Sequence, residues 1–364
     1  MVCSDSDPVV LSGSAFERGR QQAERCPEAA AAVAAAVRRR LRQLADVVGR
    51  RESAGYLRAQ RELTERICPE AIEEMRGICA GFALREDELF AYLHLGVVGD
   101  LAAVGQAPEG CTAWAMPHPG CGTMVGKNRD FRGEHLALQR VFRHSDPSWG
   151  ARRVLCVGSL GSPGAYSSGI NSDGLAVVDT NVATSDHGAG WLRYFVMSRL
   201  LASCARVAEA VQTLRALEHA GGGTLVIGDA SGAVAAVELG REAVEVEQPA
   251  GAWVARTNHF VSRRLAAKTL LDATEPLASS SPERLEVIRA ALANGSEWDL
   301  DTAAATMASH GAGTREALCR HGQDGDARTI SCSVYFCRPA TLHFSSGPPC
   351  EAPWLRFTLR EPQP

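Results

Sequence analysis

The chain has 364 residues, of which 45 % are hydrophobic, and a formal net charge of −4; this is enough apolar content for one large domain or two ordinary ones. The sequence pI near 6.2 argues against nucleic acid or an anionic membrane surface as the main partner. No basic stretch leads into an apolar core as in a signal peptide, and no apolar run reaches the roughly 18–20 residues that cross a bilayer, so a soluble, cytoplasmic protein is expected.

Lys127 and Lys268 are the only lysines beside a large excess of arginine, a bias that reads as a G+C-rich gene rather than as a functional signal. Twelve cysteines run from Cys3 to Cys350 in a chain too long to need disulfide staples, so most are expected as reduced, buried small hydrophobes. No C-x-x-C pair occurs. The closest pairs, Cys332 with Cys337 and Cys111 with Cys121, have no His or Cys partner at zinc-finger spacing, and no metal is expected.

In chain order, Ser14-Ala15-Phe16-Glu17 reads as a capping box opening a helix. Pro27 suits the start of the next helix, which apolar spacing carries over 29–48. Amphipathic helices follow at 53–67 and 69–82, and another over 86–104 begins in acidic residues that complement its dipole. From Cys111 the period changes. Residues 111–116 and 123–128 predict a strand pair, with further strands at 153–158 and 175–179. Helices are predicted over 191–202 and 205–219. A meander then runs through 224–229, 233–239 and 243–247, with Asp229-Ala230-Ser231-Gly232 as its tight turn. A strand at 251–258, helices at 282–294 and 300–309, and strands at 330–337 and 341–345 complete the chain. Helices, strands, helices and strands again predict an α+β layered fold, with two sheets stacked between helices and no linker that demands a second domain.

The junction between the helical run and the first strand holds Gly110-Cys111-Thr112. A catalytic cysteine needs a base or a positive field beside it. Nine of the ten histidines follow Cys111, so a Cys/His pairing can be written in many ways and is weak evidence. A second solution fits a cysteine heading a strand. If the Gly110–Cys111 peptide breaks, Cys111 gains an α-amine of ordinary pKa about 7.7–8.0, which can serve as base for its own thiol. The preceding glycine tolerates the strained geometry an N-to-S acyl shift requires, although it also reads as an ordinary loop glycine.

With these residues in view, the chain resembles the N-terminal-nucleophile (Ntn) hydrolases of the isopenicillin N acyltransferase type, a family of self-cleaving acyltransferases and amidases. The resemblance runs through Ser12–Arg20, Gly110-Cys111-Thr112, Gly126-Lys127-Asn128-Arg129-Asp130-Phe131, Gly169–Leu175, Arg256-Thr257-Asn258-His259-Phe260, Leu318-Cys319-Arg320-His321 and Arg328-Thr329. It implies a single Ntn domain over 1–364, an αββα sandwich, cleaved between Gly110 and Cys111 into a mostly helical segment (1–110) and a segment bearing the nucleophile (111–364), the two remaining associated. It implies Cys111 as nucleophile, Asp130 as the carboxylate that orients the new α-amine, and Asn258 as an oxyanion donor. Arg328, Thr112 and His259 are its supporting candidates, and Asn171 reads as a turn residue. Where relatives often carry a hydroxyl two positions after the nucleophile, this chain has Ala113.

The expected reaction is acyl transfer or amide hydrolysis on a small metabolite through a Cys111 thioester, without metal or organic cofactor. An acyl-coenzyme A or carrier-protein thioester enters as a substrate, and an amine or amide as the other small-molecule partner. Two alternatives stand beside it: an unprocessed binding protein, and a cysteine hydrolase that never cleaves itself.

Overall fold

The computed structural model describes residues 7–102, 110–270, 280–294, 298–312, 316–322 and 327–359. The first segment holds β1 (Val9–Ser12), α1 (Ala15–Arg25), α2 (Ala30–Gln43), α3 (Ala45–Val48), α4 (Arg51–Ile67), α5 (Pro69–Phe82), α6 (Glu86–Leu93) and α7 (Leu95–Leu101). The capping box of α1 forms as predicted: Ser14 accepts from the Glu17 N–H and Glu17 accepts from the Ser14 N–H at 2.7 Å. The helix predicted over 29–48 breaks at Leu44. The one predicted over 86–104 breaks at buried His94, whose Nδ1 lies 2.7 Å from the Phe90 carbonyl, and residues 103–104 lie outside the described residues. Helices α1 and α5 touch backbone to backbone. A Cβ on Gly19 would stand 2.1 Å from the Glu74 carbonyl oxygen, and one on Gly77 2.0 Å from that of Phe16, so no larger side chain fits either position.

The second half holds β2 (Gly110–His118), β3 (Gly122–Arg132), β4 (Gln139–Ser145), β5 (Arg153–Ser159), β6 (Ser168–Asn171), β7 (Ala176–Asn181), α8 (Arg193–Ser203), α9 (Val207–Ala216), β8 (Gly223–Gly228), β9 (Val234–Leu239), β10 (Val244–Glu247), β11 (Val254–Arg256), α10 (Ser281–Ala293), α11 (Leu300–Met307), β12 (Ala327–Cys337), β13 (Ala340–Ser345) and β14 (Trp354–Thr358). They build an eight-stranded sheet ordered β1-β4-β5-β6-β7-β8-β9-β10 and a six-stranded sheet ordered β11-β2-β3-β12-β13-β14. All pairings are antiparallel except β1 with β4.

Period-two alternation sorts the strands into layers. Val154 and Cys156 of β5 pack on the N-terminal helices, α8 and α9, whereas Leu155 and Val157 face the second sheet. Ala113 and Ala115 of β2 meet them there, and Trp114 between them points outward onto α10 and α11. The chain is therefore an αββα sandwich, as the resemblance implied.

The helical segment is stitched to the rest at several points. Strand β1 adds to β4, Arg18 pairs with Asp146, and Gln60 donates to the Gly190 carbonyl at 2.7 Å. Strands β1, β4, β6 and β14 had no sequence counterpart. Most are short, and β1 finds its partner only across a long stretch of chain, Val9 standing opposite Phe142. Ten described cysteines are free thiols, and Cys26 is disulfide-bonded. Among the described residues no helix is long and apolar enough to cross a membrane.

Candidate active site

Cys111 heads β2, cross-strand from Arg129 of β3, while Gly110 stands opposite Asp130. Strand alternation turns Cys111, Lys127 and Arg129 toward the first sheet, and Thr112, Asn128 and Asp130 toward α10 and α11. Each face carries its own polar network.

On the outer face the centre is Arg284 of α10, which is fully buried. Its guanidinium donates to the Cys111 carbonyl at 2.6 Å, the Thr112 hydroxyl at 3.2 Å and Asn258 Oδ1 at 2.8 Å. Burial lowers the Arg284 pKa to about 10, opposed by Asp130, so the side chain remains a cation at neutral pH. Asn258 Oδ1 also accepts from the Cys111 N–H at 2.8 Å, and Asn258 Nδ2 donates to the Asn181 carbonyl at 2.8 Å. Both main-chain groups of Cys111 are thus held from outside its own strand. Asp130 is buried as well. It accepts from the Thr329 hydroxyl at 2.7 Å and lies 3.6 Å from Arg320 Nε. Burial pushes its carboxyl pKa up, against the pull of Arg320, Arg284, the Thr329 hydrogen bond and Lys127. Pairing of β3 with β12 slips between Thr329 and Ser331; this irregularity lies directly opposite Asp130.

The inner face opens on a cleft of about 340 Å³ lined by Cys111, Lys127, Arg129, Asp130, Phe131, Tyr166, Asp179, Asn181, Arg193 and Tyr194. Lys127 and Arg193 both pair with buried Asp179, and these two cations hold its carboxyl below the usual range against burial, the largest single influence. Arg129 differs. It donates to Gln139 Oε1 at 3.0 Å and Ser159 Oγ at 3.3 Å and lies over the Phe131 and Tyr166 rings, with no carboxylate partner among the described residues. A second cleft of about 530 Å³ shares Phe131, Tyr166, Asn181, Arg193 and Tyr194 with the first, and reaches Tyr92, Leu93, Leu95 and Val97 of α6 and α7. A polar chamber beside Cys111 therefore adjoins a mixed cleft under the N-terminal helices, where Arg40 and Arg193 stand among Tyr92, Leu93, Leu95 and Val97.

Residues 118–350, well over half of the chain, match the sequence model of the acyl-coenzyme A:6-aminopenicillanic acid acyl-transferase family. The chain belongs to this family. The match includes Asp130, Asn258, Arg284 and Arg320 of this acyl-transferase homologue but begins seven residues after Cys111. No curated protein matches the sequence. Among solved structures, it is similar to a conjugated bile acid hydrolase from Clostridium perfringens in two variant forms. These show 13% and 14% identity and TM-scores of 0.43 and 0.46, each comparison covering 69% of this chain and 97% of that one. A penicillin V acylase from Agrobacterium tumefaciens gives 14% identity and a TM-score of 0.37, over 68% of this chain and 86% of that one.

In this acyl-transferase homologue, the structure brings Cys111, Thr112, Asp130 and Asn258 together. It places Asn258 with its oxygen, not its N–H, toward Cys111. Arg328 stands opposite Phe131 with its stem against Gly133, and the arginine that reaches Asp130 is Arg320. His259 lies 2.8 Å from Ser281 Oγ, and burial lowers its pKa to about 4. That bond supports the α10 start that carries Arg284. The sequence assigns no site role to Arg284, Asn181, Asp179 or Arg193, and carries Lys127 and Arg129 only as part of the Gly126–Phe131 motif. Two signals were present: Lys127 is one of only two lysines, and Arg284 falls on the apolar stripe of its helix with Ser281, Leu285, Ile288 and Leu292.

Proposed function

We propose that the chain is a self-processing cysteine acyltransferase or amidohydrolase whose nucleophile is Cys111, exposed by cleavage of the Gly110–Cys111 bond. The observation that carries this reading is the hold on Cys111. Its N–H and carbonyl are fixed by Asn258 and Arg284 while its side chain faces the cleft. A residue held this way keeps its place after the chain before it is cut.

In the processing step, the Cys111 thiol adds to the Gly110 carbonyl carbon and its proton passes to the departing amide nitrogen. The resulting thioester is hydrolysed by one water, which leaves a Gly110 carboxylate and a Cys111 with a free α-amine. In turnover that amine takes the thiol proton as sulfur attacks the substrate carbonyl. Asp130, across from Gly110, holds the amine's proton. The acyl-thioester then passes to water or to an amine. Polar N–H groups at the cleft mouth stabilise the oxyanion; for Asn258 to serve there, cleavage must free its amide from the Asn181 carbonyl.

The cleft also suggests the substrate. Arg129 has no carboxylate partner among the described residues, which fits an anionic group beside the scissile carbonyl, and Tyr92, Leu93, Leu95 and Val97 of the second cleft fit the acyl portion. Intact-mass measurement of the purified chain tests the core of the reading. Two associated fragments, one starting at Cys111, are expected; a single uncut chain that still acylates at Cys111 would retain the nucleophile and remove the processing step.

A further inference from the structure

On the outer edge of the second sheet, four side chains from three chain segments converge. His310 follows α11, Cys319 and His321 stand in the approach to β12, and Cys350 lies between β13 and β14. One ligand atom from each lies within 4.8 Å of all the others. His321 Nε2 is 3.1 Å from His310 Nε2, 3.2 Å from Cys350 Sγ and 3.8 Å from Cys319 Sγ, and the two sulfurs are 3.6 Å apart. A ring nitrogen has one in-plane proton or lone pair and serves one partner well. Three at once point to a shared cation. Tetrahedral zinc, with bonds of about 2.0–2.1 Å to nitrogen and 2.3 Å to sulfur, sets edges of roughly 3.3 Å between nitrogens, 3.6 Å between nitrogen and sulfur and 3.8 Å between sulfurs. The four observed separations lie within about 0.4 Å of these edges.

We propose that His310, Cys319, His321 and Cys350 form a structural zinc site. Two thiolates and two imidazoles select zinc over magnesium or calcium, and four protein ligands close the coordination sphere, leaving no position for a reacting water. Glu351 Oε1 lies 3.4 Å from His321 Nδ1, the outer carboxylate that orients a zinc-bound imidazole. Both thiols give up their protons to solvent when the metal binds. The consequence for the molecule lies in one residue. Arg320, between two of the ligands, donates to Ser280 Oγ at 2.7 Å and lies 3.6 Å from Asp130. The zinc clamps the segment that sets Arg320 against Asp130.

The test uses the full chain, prepared with reductant and Zn²⁺, then desalted. Elemental analysis is expected to find about one zinc per chain. Replacement by Co²⁺ is expected to give tetrahedral d–d bands with a thiolate charge-transfer band. Cys350→Ser and His310→Ala, both at exposed positions, are expected to cut zinc content at least tenfold. Zinc below about a tenth per chain in the wild type, an octahedral Co²⁺ spectrum, or full zinc retention by both variants overturns the proposal; so does a Cys319–Cys350 disulfide that, once reduced, takes up no metal. The cobalt spectrum is read on the wild type, so it decides even if a variant fails to fold. None of these readouts uses a substrate, so they stand apart from the fate of the Cys111 reading.

Discussion

The two faces of β2 at Cys111 differ in how far their polar groups are committed. Outside, under α10, Arg284 spends its donors on the Cys111 carbonyl, Thr112 and Asn258, and Asn258 spends its amide on Cys111 and Asn181. Inside, Asp179 neutralises Lys127 and Arg193, but Arg129 faces the cleft with no carboxylate of its own among the described residues. A satisfied network fixes atoms, and a cation held in a cleft by neutral partners can take an anionic ligand. The outer face should govern whether Cys111 is placed and processed, and the inner face which substrate it meets.

The sharpest break comes at Cys111 itself. Cys111→Ala is expected to abolish both chain cleavage and acyl transfer, seen as an uncut chain by intact mass and no turnover. A variant that still splits at 110–111 would take the nucleophile away from Cys111. Next is Arg284→Ala, which removes a buried donor from the Cys111 carbonyl and leaves Asn258 Oδ1 with the Cys111 N–H alone. A loss of about 3 kcal/mol in folding stability is expected, with slow or absent cleavage in whatever folds. Thermal unfolding and gel analysis of the same preparation check both. Normal processing in a destabilised Arg284→Ala chain would reduce this arginine to a packing role.

Much of this arrangement was legible where its cause is local. The capping box at Ser14, the Asp229–Gly232 turn and the Asn171 turn, in which Asn171 Oδ1 accepts from the Leu175 N–H at 3.0 Å, each follow from a few adjacent residues. The layer order follows from alternation in strands such as Leu155–Val157. What escaped depends on distant pairing. Strand β1 is four residues long and acquires its partner from β4 across most of the N-terminal half. Arg328 was the expected support, but the path into β12 set Arg320 beside Asp130 and Arg328 beside Phe131. The proposed zinc ligands, of which only Cys319 and His321 stood in a family motif, have no zinc-finger spacing because three separate segments supply them. Arg284 broke a rule that could have been used: a charge on an apolar stripe is either misplaced or employed.

Asp130 joins the two faces and separates them by pH. Burial raises its pKa, so the activity of the wild type should rise along an acid limb above the ordinary carboxylate range. Asp130→Asn should lower kcat/KM by about 100-fold and flatten that limb. For stability the sign runs the other way. The folded chain holds this proton more tightly than the unfolded one, so ionising Asp130 costs stability as pH rises above 3.8, and the asparagine variant escapes that cost. A variant as stable as wild type at neutral pH but catalytically poor marks a site residue, whereas parallel losses in both mark a structural one.

The smallest effect belongs to the inner face and tests the comparison most finely. Arg129→Gln keeps a hydrogen-bonding group near Gln139 and Ser159 but removes the charge. One charge-assisted contact to an anionic substrate is worth about 1.5–3 kcal/mol. KM should therefore rise roughly 10- to 100-fold with little change in kcat, because the contact is made equally in ground and transition states. Cleavage at Gly110 should proceed as in wild type, since Arg129 touches none of the groups that hold Cys111. A substrate series with and without a carboxylate sharpens the assignment: the variant should lose its preference for the anionic member and treat the neutral one as wild type does. If Arg129→Gln instead blocks processing and spares KM, the division of labour between the two faces of β2 is wrong, and the inner cations belong to the machinery that places the nucleophile.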